Sequence, residues 1–168
     1  MAKNVIWAVI FATLAALLES VLFSRIKLYG AVPDLSMGIL VFSAYVNGTM
    51  TGQLTGFFSG IFYDFLSASP MGLHTFIRTI AGALSGVLKG TFFLDTVVLP
   101  MALCGTATLF KALMLLALHL LFAGSVPAYH PLTSTVFWIE LLLNTLTAPF
   151  LFGFLALFKP LLVSGREQ

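Results

Sequence analysis

The chain has 168 residues, of which 60% are hydrophobic and 8% are charged, with a formal net charge of +2. Because about 25% of the residues of a typical soluble domain are charged, this composition excludes a soluble fold and predicts one polytopic membrane domain over residues 1–168. The small net charge gives no indication of a nucleic-acid surface, and the single cysteine, Cys104, excludes an internal disulfide framework.

The apolar stretches predict about six transmembrane helices, since each crossing needs on the order of 20 residues. In chain order the predicted helices run from Val5 to Ser24, from after Pro33-Asp34 to Val46, from Gly48 to Leu66, from Gly72 to Leu88, from Pro100 to Phe122 and from Ser134 to Phe158. The second and third helices leave little room for two full crossings. A re-entrant hairpin is therefore the alternative to two spans in this part of the chain.

Glycines recur every four residues in the third predicted helix, a spacing that places them on one helical face. This face carries Gly48, Gly52, Gly56, Gly60 and then Asp64. The fourth predicted helix repeats the pattern with His74, Arg78, Gly82, Gly86 and Gly90. Faces without side chains allow two helix backbones to come close together in lipid. We therefore predict an antiparallel pair of helices packed along these seven glycines, called here the glycine seam.

Polar residues lie at the end of the glycine seam where the third and fourth predicted helices are connected. The short turn between them places Asp64 and His74 at similar depth, with Arg78 about one helical turn deeper. A carboxylate inside a membrane needs a partner or a wet cavity, and a long arginine side chain can extend towards it. We predict an ion pair between Asp64 and Arg78. The alternative is that both groups contact interfacial water.

Four further polar residues interrupt apolar stretches and are expected to avoid lipid. They are Glu19, Lys111, Glu140 and Asn144. Lys111 is deep enough to require a carboxylate partner, for which Glu140 and Glu19 are the candidates. Together the four residues either line a polar cavity or form hydrogen bonds between helices. The sequence groups no three metal ligands, so we predict neither a metal site nor a cofactor.

Catalytic motifs are missing from the sequence. It contains no Gly-x-Ser-x-Gly, no His-Glu-x-x-His, no Gly-x-x-x-x-Gly-Lys-Ser/Thr and no Cys-x-x-Cys. Long segments outside the predicted helices, which could hold an active site, are also missing. We predict that the protein is not an enzyme.

The distribution of lysine and arginine favours one orientation in the membrane. With six helices both termini lie on the same side. That side collects Lys3, Lys89, Lys159 and Arg166, whereas the opposite side has Arg25 and Lys27. Because positively charged residues concentrate on the cytoplasmic side, both termini are predicted to be cytoplasmic.

Three motifs in order resemble a known family. Pro33-Asp34-Leu35 opens an apolar helix, Gly56-Phe57-Phe58-Ser59-Gly60-Ile61-Phe62-Tyr63-Asp64-Phe65-Leu66-Ser67 follows it, and Pro70-Met71-Gly72-Leu73 begins the next helix. This combination resembles the bacterial rod shape-determining protein MreD family, over roughly Pro33 to Gly90. The rest of the chain agrees with the family in length, hydropathy and helix count.

The resemblance implies a non-catalytic subunit of the cell-elongation machinery in the bacterial inner membrane. It implies a six-helix fold similar to the substrate-binding subunits of energy-coupling-factor vitamin transporters. The implied partners are MreC, which has one membrane helix, cytoplasmic MreB filaments, and the RodA glycosyltransferase with its transpeptidase partner, which synthesise sidewall peptidoglycan. The alternative function is a vitamin-binding transporter subunit whose ligand cavity contains Glu19, Lys111, Glu140 and Asn144. A binder of lipids or wall precursors is a third possibility that the same cavity allows.

Overall fold

The structure is a computed structural model that describes residues 2–23 (backbone only at 22 and 23), 29–67, 69–90, 97–122, 131 and 133–163. Its helices are α1 (Ala2–Leu18), α2 (Leu35–Asn47), α3 (Thr49–Leu66), α4 (Leu73–Val87), α5 (Val98–Leu121), α6 (Thr135–Ala156) and α7 (Lys159–Leu162). One turn of π-helix, Glu19–Phe23, continues α1. The predicted all-helical class is confirmed for this part of the chain. Ser24, Arg25, Lys27 and Arg166, which entered the predictions of helix ends and orientation, lie outside the described residues.

Three helical segments are long and apolar enough to cross a membrane. They are Ala2–Val21, Val98–Leu121 and Thr135–Ala156. These segments support a membrane protein, as the composition predicts. The count of six spans stays a prediction, since length and apolar composition select only three among the described helices.

The short helix α2 lies at the centre of the fold. Its residues Ser36–Ala44 are all buried, so no face of this stretch is turned outward, and α2 contacts α1, α3, α4, α5 and α6. A helix buried on every side is a core element. Its 13 residues extend about 20 Å at the α-helical rise, less than the roughly 30 Å of a bilayer core. The choice between a full crossing and a re-entrant hairpin stays a prediction.

Both ends of α2 are defined by local chemistry. At its start the Asp34 side chain accepts a hydrogen bond from the Met37 amide at 2.9 Å, which satisfies one of the free N–H groups of the first turn. At its end Gly48 connects α2 to α3 as a single residue with φ +98°. This positive φ favours glycine, because a side chain would be strained there.

Asn47, the last residue of α2, connects both ends of the described chain. Its side-chain amide donates to the Leu162 carbonyl in α7 at 2.7 Å. Its side-chain oxygen accepts a hydrogen bond from Asn4 of α1 at 3.1 Å. The beginning of α1 and the end of α7 are therefore held at the same end of α2.

Helices α3 and α4 pack backbone against backbone. A Cβ atom added at Gly52 would lie closer than 3.0 Å to the backbone of Gly82, and one added at Gly56 would lie equally close to the backbone of Arg78. A Cβ added at Gly60 would lie 2.5 Å from the Cα of Thr75. The contacts run in opposite chain directions along the two helices. The close antiparallel approach predicted from the glycine spacing is therefore present.

The two outermost glycines of the seam differ from the prediction. Gly48 precedes α3 and does not lie on its helical face, although its backbone still meets Gly86, where an added Cβ would lie 2.6 Å from the Gly48 carbonyl carbon. The prediction that Gly90 extends the seam is wrong. Because α4 ends at Val87, Gly90 lies in the following turn with φ +71°, and an added Cβ would meet nothing within 4 Å.

Candidate functional site

Five ionisable side chains converge around the start of α2, and we call them the charge cluster. They come from five different elements: Glu19 after α1, Asp34 before α2, Arg78 in α4, Lys111 in α5 and Glu140 in α6. Hydrogen bonds or ion pairs connect Asp34, Arg78, Lys111 and Glu140 to one another. Glu19 is connected to the start of α2 through the Ser36 amide.

Asp34 is the centre of the charge cluster. One carboxylate oxygen accepts hydrogen bonds from the Arg78 guanidinium at 3.1 Å and from the Met37 amide at 2.9 Å. The other oxygen lies 2.8 Å from the Lys111 ammonium. Burying a carboxylate is costly unless cations and hydrogen bonds surround it. Asp34 meets this requirement and also caps α2. Its ion pairs with Arg78 and Lys111 therefore hold α4 and α5 to the N-terminal end of the central helix.

Arg78 is 2% exposed and uses three kinds of contact. Besides its ion pair with Asp34, its guanidinium donates to the Ser36 hydroxyl at 2.7 Å. Its central carbon also lies 4.2 Å from the centroid of the Tyr63 ring, a cation–π distance. These contacts direct the arginine towards the start of α2.

The predicted ion pair between Asp64 and Arg78 is wrong. Asp64 instead accepts hydrogen bonds from the backbone amides of Gly72, His74 and Thr75 at 2.9–3.1 Å and from the Thr75 hydroxyl at 2.6 Å. The first amides of a helix lack intrahelical partners and carry partial positive charge. The start of α4 therefore satisfies this carboxylate without a cation.

His74 lies beside Asp64, to which its backbone amide is hydrogen-bonded. Its Nε2 lies 3.3 Å from the Ser69 hydroxyl oxygen. The imidazole packs against the Tyr63 ring with centroids 4.7 Å apart. His74 therefore belongs to the α3–α4 turn, and the described contacts connect it to a serine and an aromatic ring.

Lys111 and Asn144 connect α5 and α6 to the same place. The Lys111 ammonium contacts Glu140, one of its two predicted partners, in addition to Asp34. The Asn144 oxygen accepts a hydrogen bond from the Asp34 backbone amide at 2.7 Å, and its amide group donates to the Thr108 hydroxyl at 3.0 Å. Asn144 thus acts through hydrogen bonds between helices, one of its two predicted roles.

A cavity of about 450 Å³ borders the charge cluster. Its polar lining includes Glu19, Asp34, Tyr63, Lys111 and Glu140, and its apolar lining includes Ala16, Val32, Leu66 and Val136. Three of the four residues considered for a polar cavity therefore line it. The fourth, Asn144, lines a much smaller space of about 10 Å³ on the other side of Asp34.

Sequence reasoning missed the central position of Asp34. The available signal was local: an aspartate directly before an apolar stretch is a typical N-cap. That signal indicates where α2 begins, but not that Arg78 and Lys111 meet there. Ser36 and Tyr63 were missed because neither residue type is unusual near the end of a membrane helix.

The described residues contain no group of three histidine, cysteine, aspartate or glutamate side chains close enough to hold a metal ion. The charged side chains of the cluster are bonded mainly to each other and to helix ends. Such contacts stabilise the packing of the helices next to a polar cavity.

Comparison with known protein families identifies a match. The family model of rod shape-determining protein MreD matches residues 1–158 of the chain. This range contains the whole charge cluster and the whole glycine seam. Searches of curated proteins and of solved structures give no match.

Proposed function

The chain belongs to the family of rod shape-determining protein MreD, and we propose that it is a non-catalytic, multi-pass subunit of the cell-elongation machinery in the bacterial cytoplasmic membrane. The family match over residues 1–158 carries this proposal. Together with three apolar helices of spanning length, it supports a membrane protein that helps to determine cell shape.

A structural role in this machinery agrees with the chemistry of the charge cluster. Asp34 is bonded to two cations and a helix amide. Arg78 is bonded to a carboxylate and a hydroxyl and stacked on a ring. Side chains used in this way stabilise the arrangement of helices, and we propose that they fix the shape of the surface that partners recognise.

We propose an MreC-like single-span membrane protein as the direct partner. Through it, the subunit would act with MreB, RodA and the transpeptidase partner of RodA in sidewall peptidoglycan synthesis. Outward-facing aromatic side chains on α3 support a role in helix recognition, since they can pack against lipid or another helix: Phe57, Phe58, Phe62 and Phe65. Helix association in lipid depends on such close packing.

The six-span topology, the fold similar to vitamin-transporter subunits and the cytoplasmic position of both termini are parts of this proposal. The positive-inside rule supports the orientation. In this orientation, the described residues that would supply positive charge on the cytoplasmic side are Lys3 at the start of α1, Lys89 after α4 and Lys159 at the start of α7.

Depletion of the protein in its rod-shaped host tests the proposal. We expect rods to become spheres, and we expect the full-length protein to restore rods and to co-purify with an MreC-like protein in mild detergent. Cells that stay rod-shaped after complete depletion would overturn the cell-shape role. Absence of co-purification, together with nanomolar binding of a vitamin, would instead favour the transporter subunit.

A further inference from the structure

The charge cluster contains more carboxyl groups than cations, and the extra carboxyl group lies beside the cavity. Its five members are three carboxylates and two cations. Asp34 contacts both cations, Arg78 and Lys111, and Glu140 contacts Lys111. Glu19 forms no ion pair with any residue that the structure describes. Glu19 is therefore the carboxyl group of the cluster that has no counter-ion among the described residues.

Glu19 is 8% exposed, yet only one of its two carboxyl oxygens is hydrogen-bonded to a described residue. This oxygen, Oε1, accepts from the Ser36 amide at 2.8 Å. The side chain also lines the 450 Å³ cavity. A buried carboxyl group is costly to ionise without a cation, and a positively charged group bound in the cavity would remove that cost.

Glu140 presents a second carboxylate to the same cavity. Its Oε1 contacts Lys111, and Oε2 makes no hydrogen bond with any residue in the described part of the chain. Two carboxylate oxygens, one from Glu19 and one from Glu140, are therefore acceptors available to a ligand. Acceptors of this kind are suited to a group with positively charged N–H donors.

Two other kinds of cation fit this lining less well. A quaternary ammonium is typically recognised by the faces of several aromatic rings. Tyr63 is the aromatic residue among the described lining residues, and Arg78 already lies over its ring at 4.2 Å. A metal ion would need more ligands together than the described residues provide.

The apolar lining reaches the outer surface of the protein. Leu66 and Val136 line the cavity and are each 41% exposed. In a membrane protein such exposed apolar side chains lie against lipid. A molecule with a polar, positively charged end and an apolar remainder could thus extend from the cavity towards the bilayer.

We propose that this cavity binds a ligand through a primary ammonium group, held between the carboxylates of Glu19 and Glu140. The ligand is either a soluble primary amine or the ethanolamine headgroup of a phospholipid. The cavity volume lies within the range of small-molecule sites. This site adds ligand recognition to the protein and does not depend on the proposed role in cell elongation.

Lipid retention by the purified full-length protein, measured by native mass spectrometry, tests the site. The probes are phosphatidylethanolamine, phosphatidylcholine and phosphatidylglycerol with identical acyl chains. We expect phosphatidylethanolamine to be retained about tenfold better than phosphatidylcholine, because the trimethylated headgroup lacks N–H donors. Soluble ethanolamine, tested by thermal stabilisation in detergent, distinguishes a free amine from a lipid headgroup.

The variant Glu19→Gln removes the charge but keeps a side-chain oxygen for the Ser36 amide, so we expect it to fold. The Glu19→Gln variant should lose the preference for the primary ammonium group, and Glu140→Gln should weaken this preference. Asp64→Asn is the matched control, since it removes a carboxylate that is bonded to α4 and does not line the cavity.

Stabilisation by ethanolamine or selective retention of phosphatidylethanolamine, lost in Glu19→Gln and kept in Asp64→Asn, would support the proposal. Equal retention of the three lipids without stabilisation by ethanolamine would overturn it. A preference that survives both glutamate substitutions in folded protein would also overturn it.

Discussion

The glycine seam and the charge cluster hold the same helix, α4, in opposite ways. Along the seam, α4 approaches α3 so closely that a single methyl group would collide with backbone atoms. At the cluster, the long side chain of Arg78 extends from α4 to Asp34 at the start of α2. The seam depends on the absence of side chains, and the cluster depends on their charges and hydrogen bonds. Substitutions should therefore damage the two regions for different reasons.

The largest effect is expected from Asp34→Asn. Asparagine keeps an oxygen that can cap α2, but it leaves Arg78 buried without its carboxylate. Breaking a buried ion pair by removing one partner costs about 3–5 kcal/mol. The free energy of unfolding in mixed micelles measures this loss. A cost below 1 kcal/mol would contradict the central position assigned to Asp34.

Gly82→Val tests the seam. The valine side chain would collide with the backbone of Gly52, and overpacking of this kind costs about 1–3 kcal/mol. We expect a lower melting temperature and partial aggregation in size-exclusion chromatography. The matched control is Gly153→Val in α6, where an added Cβ meets nothing within 4 Å. Equal damage from both variants would show that close backbone approach is not the cause.

Asp64→Asn should have a smaller effect, because it weakens hydrogen bonds at the start of α4 without leaving an arginine unpaired. Loss of a cap costs about 0.5–2 kcal/mol. Its effect should add to that of Arg78→Gln within about 0.5 kcal/mol, whereas Asp34→Asn and Arg78→Gln should be coupled. Double-mutant cycles on unfolding measure both values. Strong coupling of Asp64 to Arg78 would restore the ion pair that the structure contradicts.

The smallest effect is expected from Gly153→Ala. The position has open space around it, and alanine is favoured over glycine inside a helix by at most about 1 kcal/mol. The melting temperature should stay the same or rise slightly. A marked fall would indicate that Gly153 has a packing role of its own.

The sequence predicted the seam better than the cluster because the two depend on different ranges along the chain. Glycines four residues apart share a helical face whatever surrounds them, so Gly52, Gly56 and Gly60 could be recognised by spacing alone. The ion pair of Asp34 with Arg78 joins residues 44 positions apart, and that with Lys111 joins residues 77 positions apart. Such partners depend on how five elements pack, which no local pattern specifies.

Asp64 illustrates the same limit at short range. Its need for a partner could be predicted from its place in an apolar stretch, and its neighbour His74 from the short turn. The nature of the partner could not be predicted, because a carboxylate is satisfied either by backbone amides at a helix start or by a cation. The extent of the seam was also not predictable from the glycine spacing. Gly48 has a positive φ and precedes α3, and α4 ends at Val87, before Gly90.

The bonds of Asn47 to Asn4 and to Leu162 have a practical consequence. Reporter domains fused beside either of these two distant residues should face the same compartment, whichever compartment that is. One enzymatic reporter at each position would therefore report independently on the same quantity, the side of the membrane on which these residues lie. Opposite readings would mean that the inserted protein does not keep these hydrogen bonds.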